Sequence, residues 1–114
     1  MSAPTIWHNP RCSKSRETLA LIEGKGIAPT VVEYLKTPPS PAELARVLAL
    51  LGKGPRDVVR RKEAAEAGID PAGLSDAELI AALCANPAAI ERPIVVTADR
   101  AAIGRPPESV LDIL

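Results

Sequence analysis

The sequence predicts an α/β fold, in which helices pack on a small mixed sheet. Three observations favour this class. Stretches rich in β-branched residues alternate with stretches of helical periodicity along the 114 residues. The first three elements are strand, helix and strand, a unit that implies parallel pairing with a right-handed crossover. Two short apolar segments near the C-terminus are close enough to form a hairpin, which adds antiparallel strands.

The first strand is predicted over Pro4–His8. Asn9-Pro10 ends it, because the residue before a proline is disfavoured in the helical conformation. A helix follows at once, with the hydroxyl of Ser13 in the position of an N-cap. Gly24 ends this helix, since glycine readily leaves the helical conformation. The turn between strand and helix therefore contains Cys12.

The second strand is predicted over Thr30–Leu35, where β-branched residues alternate. The proline-containing segment Lys36–Ser40 is a loop. Ser40 and Glu43 then have the spacing of a capping box, in which each side chain caps the backbone of the other residue. Leucine and valine follow at helical spacing, so a helix is expected up to Gly52–Pro55.

The middle of the chain predicts a further helix. Residues 57–63 (DVVRRKE) form a short segment to which we assign no helix. Ser75 and Glu78 make a second capping box, which opens a helix that ends before Asn86-Pro87. Up to this point the predicted order of elements is strand, helix, strand and a block of helices.

The C-terminal part predicts two strands and a closing helix. Ile94–Thr97 and Arg100–Ile103 are apolar and separated by only two residues, so we expect them to pair as a hairpin. A last helix begins at Pro107. The two strands of this hairpin complete the predicted mixed sheet.

Composition excludes several classes of function. Lysine plus arginine equals aspartate plus glutamate at 14 each, which gives no general reason for binding nucleic acid or a membrane surface. No apolar run approaches the roughly 20 residues of a membrane-spanning helix. The N-terminus lacks the basic and apolar regions of a secretory signal. We therefore expect a soluble cytoplasmic protein.

The two cysteines, Cys12 and Cys84, are not expected to form a structural disulfide in a reducing compartment. Cys84 lies on an apolar helical face, and we interpret it as a small core residue. Two cysteines and the single histidine show no ligand spacing for zinc, so no metal site is predicted.

Cys12 is the candidate nucleophile. A thiol at a helix N-terminus and beside cations ionises more readily, because the helix dipole and the free N–H groups of the first turn stabilise the thiolate. The same N–H groups can hold an oxyanion next to the sulfur. The residues to which we assign thiolate activation are His8, Arg11, Ser15 and Arg16. For His8 two interpretations stay open: electrostatic stabilisation of the thiolate, and an ordinary place at the end of a strand.

Two motif comparisons narrow the chemistry of this thiol. Ser15 stands where the second cysteine of a C-x-x-C motif would be, so an external thiol must resolve an oxidised Cys12. Thr18 occupies the arginine position of the C-x5-R loop of low-molecular-weight tyrosine phosphatases, which disfavours that class.

The segment His8–Arg16 fits the pattern H-N-P-x-C-x-x-S-R and resembles the active-site motif of the glutaredoxin-linked arsenate reductases. Further segments resemble this family in the same order and at consistent spacing: Ala28–Leu35, Lys36–Ser40, Arg56–Lys62, Glu91–Thr97, Gly104–Pro106 and Val110–Leu114. The resemblance therefore covers the whole chain.

The resemblance implies a single domain over residues 1–114 with a thioredoxin-like fold. Its mixed sheet carries a helical insertion, at about residues 41–90, between the second and third strands. It also implies that the peptide bond before Pro93 is cis and lies near Cys12. The residues that it implies for holding arsenate are Arg60, Arg92 and Arg105. Arginine suits this role because it stays charged and presents a fork of donors to oxyanions.

The implied activity is reduction of arsenate through an adduct on Cys12. Glutathione is the co-substrate, glutaredoxin is the recycling partner, and no cofactor is tightly bound. We expect a monomer. Two alternatives remain: a glutathione-dependent thiol oxidoreductase of the same fold without arsenate activity, and a transcriptional regulator like the Spx proteins. Spx proteins carry a C-x-x-C switch, which Ser15 disfavours here.

Overall fold

The computed structural model describes residues 3–114 and divides the chain into two compact units. The first unit is the chain up to Thr37 together with Arg92–Leu114, and the second is Pro38–Glu91. All four strands of the described residues lie in the first unit. Three helices of the second unit follow one another in the chain between the second and third strands. No helix of residues 3–114 is long and apolar enough to cross a membrane.

The strands form one mixed sheet in the order β2-β1-β3-β4. β1 and β2 are parallel, whereas β3 is antiparallel to both β1 and β4. The predicted parallel pair and the predicted hairpin are therefore confirmed. The strands are β1 (Thr5–Trp7), β2 (Thr30–Val32), β3 (Ile94–Val96) and β4 (Ala101–Ile103).

The core of the first unit lies between the sheet and two helical segments. These are α1 (Ser13–Gly24) and the closing 3₁₀ helix (Pro107–Ile113). Ile6 of β1 lies opposite Val95 of β3. Both pack in one fully buried cluster with Ile22 of α1 and Val110 of the 3₁₀ helix. Burial of these aliphatic side chains fixes α1, and with it the turn that carries Cys12, against the sheet.

In the first unit β1, β3 and β4 are shorter than predicted, by one residue at one end or at both ends. Three further details differ from the prediction. α1 has Cys12 as its N-cap, in extended conformation, so Ser13 is the first helical residue. β2 ends at Val32 instead of Leu35, because the chain turns after Glu33 and the N–H of Lys36 donates to its carbonyl at 2.9 Å. The segment from Pro107 is helical as predicted but has 3₁₀ geometry.

The second unit contains α2 (Pro41–Leu51), α3 (Arg61–Glu66) and α4 (Asp76–Ala85). Both predicted capping boxes are present, at the starts of α2 and α4. Gly52 ends α2 with φ of 69°, a left-handed conformation that favours glycine. The prediction missed α3, because its only buried residue is Ala64 and it therefore shows no apolar periodicity.

Candidate active site

Cys12 lies at the end of a tight turn that Asn9 holds from both sides. The N–H of Cys12 donates to the carbonyl of Asn9 at 3.0 Å, and the Oδ1 of Asn9 accepts from the N–H of Arg11 at 3.0 Å. The carbonyl of Cys12 accepts from the N–H of Arg16, which closes the first turn of α1. Asn9 is buried but Cys12 is only partly so. The turn therefore fixes the thiol while leaving it accessible.

The pKa of the Cys12 thiol is lowered from its ordinary value. Partial burial is the largest influence and opposes ionisation. It is outweighed by hydrogen bonds from the backbone N–H of Ser15, from the Arg92 guanidinium and from the N–H of Lys14, together with the charge of Arg92. The helix N-terminus and one distant arginine thus stabilise the thiolate, which is the nucleophilic form.

Two arginines meet at the Cys12 sulfur from the far end of the chain. The Nη2 of Arg105 lies 3.7 Å from the Sγ of Cys12, and its Nε donates to the carbonyl of Arg92 at 2.7 Å. The peptide bonds before Pro93 and Pro106 are both cis. The cis bond at Pro93 agrees with the expectation, whereas the one at Pro106 was not foreseen. Through its two contacts, the Arg105 guanidinium lies between the thiol and the backbone of Arg92.

His8 and Ser15 form a buried hydrogen-bonded pair beneath the turn. The Oγ of Ser15, which is fully buried, lies 2.6 Å from the Nδ1 of His8. The same oxygen accepts from the N–H of Asn9 at 3.0 Å. Since the hydroxyl hydrogen of Ser15 is then left to donate, this network favours the tautomer of His8 with an unprotonated Nδ1. The side chain of Ser15 therefore joins the end of β1 to the start of α1.

His8 is neutral near pH 7. Burial lowers the pKa of its imidazole, Glu33 opposes this, and the charge of Arg16 adds to it. Its contact is with Ser15, so the structure supports a structural place at the strand end more than a charged role at the sulfur. Ser15 in turn acts on Cys12 through its backbone N–H.

Of the three cations that flank Cys12 in sequence, two make other contacts and one is exposed. Arg11 is exposed. Lys14 pairs with Glu17 at 3.6 Å, and the Nη1 of Arg16 donates to the carbonyl of Pro10 at 2.9 Å. The cationic contacts of the sulfur that the structure describes are instead those of the two distant arginines described above.

Arg60 belongs to the second unit, where two carboxylates hold it. Its Nη1 lies 2.9 Å from Glu91 and its Nε 3.4 Å from Glu63. Burial opposes its charge, but these two carboxylates raise its pKa overall. Its N–H donates to the carbonyl of Ala89, next to a bridge that joins Val59 to Ile90. The guanidinium is thus firmly positioned within its own unit.

Two residues that the sequence analysis did not select lie behind the site. Thr18 of α1 is fully buried, and its Oγ1 donates to the carbonyl of Lys14 at 2.7 Å. Gly104 is buried just before Arg105, and its N–H donates to the carbonyl of Pro93 at 2.9 Å. A glycine directly before Arg-Pro was the one available sequence signal for this close contact.

Cys84 has no part in the thiol site as described. It lies half-buried on α4 of the second unit. Its pKa is raised, first by burial and then by the charge of Glu43. This environment keeps it a protonated thiol near neutral pH, in contrast to Cys12.

Several known proteins that this chain resembles are named arsenate reductase. The chain is 49% identical to the arsenate reductase of Haemophilus influenzae, with 96% of this chain and 97% of that protein covered. It is equally similar to the uncharacterized protein YfgD of Escherichia coli, with 96% and 94% covered. The structure of an arsenate reductase from Vibrio cholerae superposes with a TM-score of 0.92 at 51% identity over 98% of both chains. The predicted thioredoxin-like fold class is confirmed. A family model described as ArsC family matches residues 7–113, and the chain belongs to the ArsC family.

Proposed function

We propose that this chain is an arsenate reductase whose Cys12 thiolate forms a covalent arsenate adduct. One observation carries the proposal: the Nη2 of Arg105 lies 3.7 Å from the Sγ of Cys12 at the N-terminus of α1. A stabilised thiolate and donors for an oxyanion therefore meet at one point. The relatives named arsenate reductase support the choice of arsenate among oxyanions.

The charges suit an anionic nucleophile that attacks an anionic substrate. Arsenate carries one to two negative charges near neutral pH and would be repelled by a bare thiolate. Arg92 and Arg105 neutralise this repulsion and offer fork-shaped donors to the arsenate oxygens. In the proposal Arg60 is a third arginine for arsenate, as the resemblance to the arsenate reductases implies, and its two carboxylate partners compete with the substrate for its donors.

The first step is nucleophilic covalent catalysis. The Cys12 thiolate attacks arsenic and forms a sulfur–arsenic bond while one arsenic–oxygen bond breaks. The departing hydroxide takes up a proton and leaves as water. Arsenic remains pentavalent in the adduct, and the arginines hold the remaining oxygens.

The second step reduces arsenic. A glutathione thiolate attacks the Sγ of Cys12, a sulfur–sulfur bond forms, and the electron pair of the sulfur–arsenic bond stays on arsenic. Arsenite leaves as the trivalent product, and the two sulfurs have supplied the two electrons. A glutaredoxin thiolate then attacks the glutathione sulfur of the mixed disulfide and frees Cys12.

An external reductant fits the residues around the thiol. Ser15 takes the place of a resolving cysteine, and its hydroxyl is buried against His8. Glutathione and reduced glutaredoxin belong to reducing compartments, so the proposal places the chain in the cytoplasm. It acts there as a monomer without a bound cofactor.

The test is arsenate-dependent oxidation of NADPH, coupled through glutathione reductase, glutathione and glutaredoxin. Wild-type protein should turn over only when arsenate, glutathione and glutaredoxin are all present. Cys12→Ser should abolish turnover, because a hydroxyl at this position does not ionise near neutral pH. Cys84→Ser is the matched control and should keep full activity.

Each result separates the candidate functions. Arsenate turnover that survives Cys12→Ser would disprove the adduct mechanism. If folded wild-type protein shows no arsenate turnover but cleaves glutathione mixed disulfides through Cys12, the chain is a thiol oxidoreductase of the same fold. Turnover without glutaredoxin would remove that partner from the proposal.

A further inference from the structure

Gly104 occupies a place where no side chain fits. It follows β4 directly and precedes Arg105. A Cβ atom built there would lie 2.5 Å from the Oγ1 of Thr18, 3.1 Å from its Cγ2 and 2.8 Å from the Cγ of Pro93. Side-chain carbons do not approach other atoms so closely, so at least one of the three segments would have to move.

Neither neighbour can give way easily. Thr18 is fully buried within α1, and its Oγ1 is held by the carbonyl of Lys14 at 2.7 Å. Pro93 is buried, and its carbonyl accepts from the N–H of Gly104 at 2.9 Å. A methyl group at position 104 would therefore displace the end of β4 away from α1.

This contact bears on the active site because of what lies on each side of it. Thr18 is on the helix whose N-cap is Cys12. Arg105 follows Gly104 in the chain and contacts both the Sγ of Cys12 and the carbonyl of Arg92. The backbone distance between α1 and position 104 therefore sets how far the Arg105 guanidinium lies from the sulfur.

We propose that Gly104 is a positioning residue for oxyanion binding, which acts by packing its bare backbone on Thr18 and thereby holding Arg105 at Cys12. This inference rests on the proposed function for its substrate. Gly104 itself does not touch the sulfur or the oxyanion. Because Gly104 has no side chain, its backbone can pack against Thr18. This packing fixes the position of the backbone of Arg105, whose side chain is mostly exposed.

The main test compares Gly104→Ala with Gly24→Ala. A Cβ at Gly24, the last residue of α1, meets nothing within 4 Å, so this control adds the same methyl group without a clash. Gly104→Ala should raise the KM for arsenate by about tenfold, the factor for loss of one charge-assisted hydrogen bond, with a smaller change in kcat. The pH midpoint for alkylation of Cys12 by iodoacetamide, measured with Cys84→Ser, should also rise. Gly24→Ala should change neither quantity.

Two double variants separate positioning from general damage. If Gly104 acts through Arg105, adding Gly104→Ala to Arg105→Ala should cause little further loss. Adding Thr18→Ala to Gly104→Ala removes the closest clashing atom, the Oγ1 of Thr18, together with its Cγ2, and leaves the contact with the Cγ of Pro93 at 2.8 Å. It should therefore restore part, but not all, of the KM and of the alkylation midpoint. This second variant also serves if Gly104→Ala alone does not fold, with Thr18→Ala as its reference.

Several outcomes would overturn the inference. They are wild-type values in Gly104→Ala, full additivity with Arg105→Ala, and absence of any recovery with Thr18→Ala in folded protein. The alkylation midpoint does not depend on arsenate turnover. If wild-type protein fails to reduce arsenate, the proposed function fails, while the midpoint and its recovery still decide whether Gly104 positions Arg105 on the thiol.

Discussion

At the scale of single residues, neighbours in sequence are poor guides to the charge at Cys12. Lys14 and Arg16 flank the cysteine, yet one pairs with Glu17 and the other donates to a backbone carbonyl. The guanidinium that contacts the sulfur at 3.7 Å comes from Arg105, 93 positions further along. A side chain next to the thiol in sequence need not point toward it, whereas packing of β4 on α1 brings a distant one there.

Arg60 illustrates the opposite situation, a cation whose charge is already balanced. Glu63 and Glu91 both contact its guanidinium, so two carboxylates offset its single positive charge. Arsenate must compete with these carboxylates if Arg60 binds it. We therefore expect Glu91→Gln to lower the KM for arsenate about two- to fivefold, since a partly exposed ion pair contributes up to ~1 kcal/mol.

Steady-state kinetics in the coupled assay measure this effect. Glu66→Gln is the matched control, because Glu66 is an exposed carboxylate of the same unit, on the helix α3 that Arg60 caps. An increase in KM on Glu91→Gln would contradict the competition and show that Glu91 instead orients Arg60 for the substrate.

At the scale of elements, the start of a helix was predicted correctly where two residues together form a capping box. Ser40 with Glu43 and Ser75 with Glu78 begin α2 and α4 as predicted. Ser13 had no such partner, and the structure moves the N-cap back to Cys12. A capping box satisfies two backbone donors at once, whereas a single serine leaves the first residue of the helix undecided.

This difference predicts unequal effects of two serine substitutions. Ser75→Ala should lower the free energy of unfolding by about 1 kcal/mol, because the N–H of Glu78 loses its acceptor at 3.2 Å. Ser13→Ala should cost little, since Ser13 is exposed as the first helical residue of α1. Urea unfolding followed by circular dichroism measures both. A larger loss of unfolding free energy for Ser13→Ala than for Ser75→Ala would show that Ser13 is the N-cap after all.

At the scale of the whole molecule, the buried histidine couples stability to pH. Burial lowers the pKa of His8 in the folded chain relative to the unfolded chain, where it titrates near 6.5. The unfolded chain therefore binds the proton first as the pH falls. The contribution of His8 to stability is complete above about pH 6.5 and is lost as the pH drops toward its folded pKa.

Comparison with His8→Gln isolates this contribution, because His8 is the only histidine. The free energy of unfolding of the wild type should fall more steeply than that of the variant as the pH drops below about 6.5. Carboxylates titrate in both proteins and cancel in the difference. Parallel curves over this range would show that the environment of His8 does not disfavour its charged form.

The sequence alone determined the features that depend on residues close together in the chain. The strand–helix–strand start, both capping boxes, the hairpin and the nucleophile at a helix start all follow from local chemistry. Resemblance to the arsenate reductases then singled out Arg92 and Arg105, which composition and spacing would have left as ordinary surface arginines. The short helix α3 was not predicted, because a single buried alanine gives no periodic apolar pattern.

The tertiary structure decided which groups meet. It paired His8 with Ser15, drew Arg105 to the sulfur of Cys12 and placed Gly104 against Thr18. Contacts of this kind depend on how the sheet and α1 pack, and packing joins positions that no local pattern links. The sequence thus specified a thiol at a helix start, while the packing of the chain on α1 determined which two arginines, Arg92 and Arg105, lie at its sulfur.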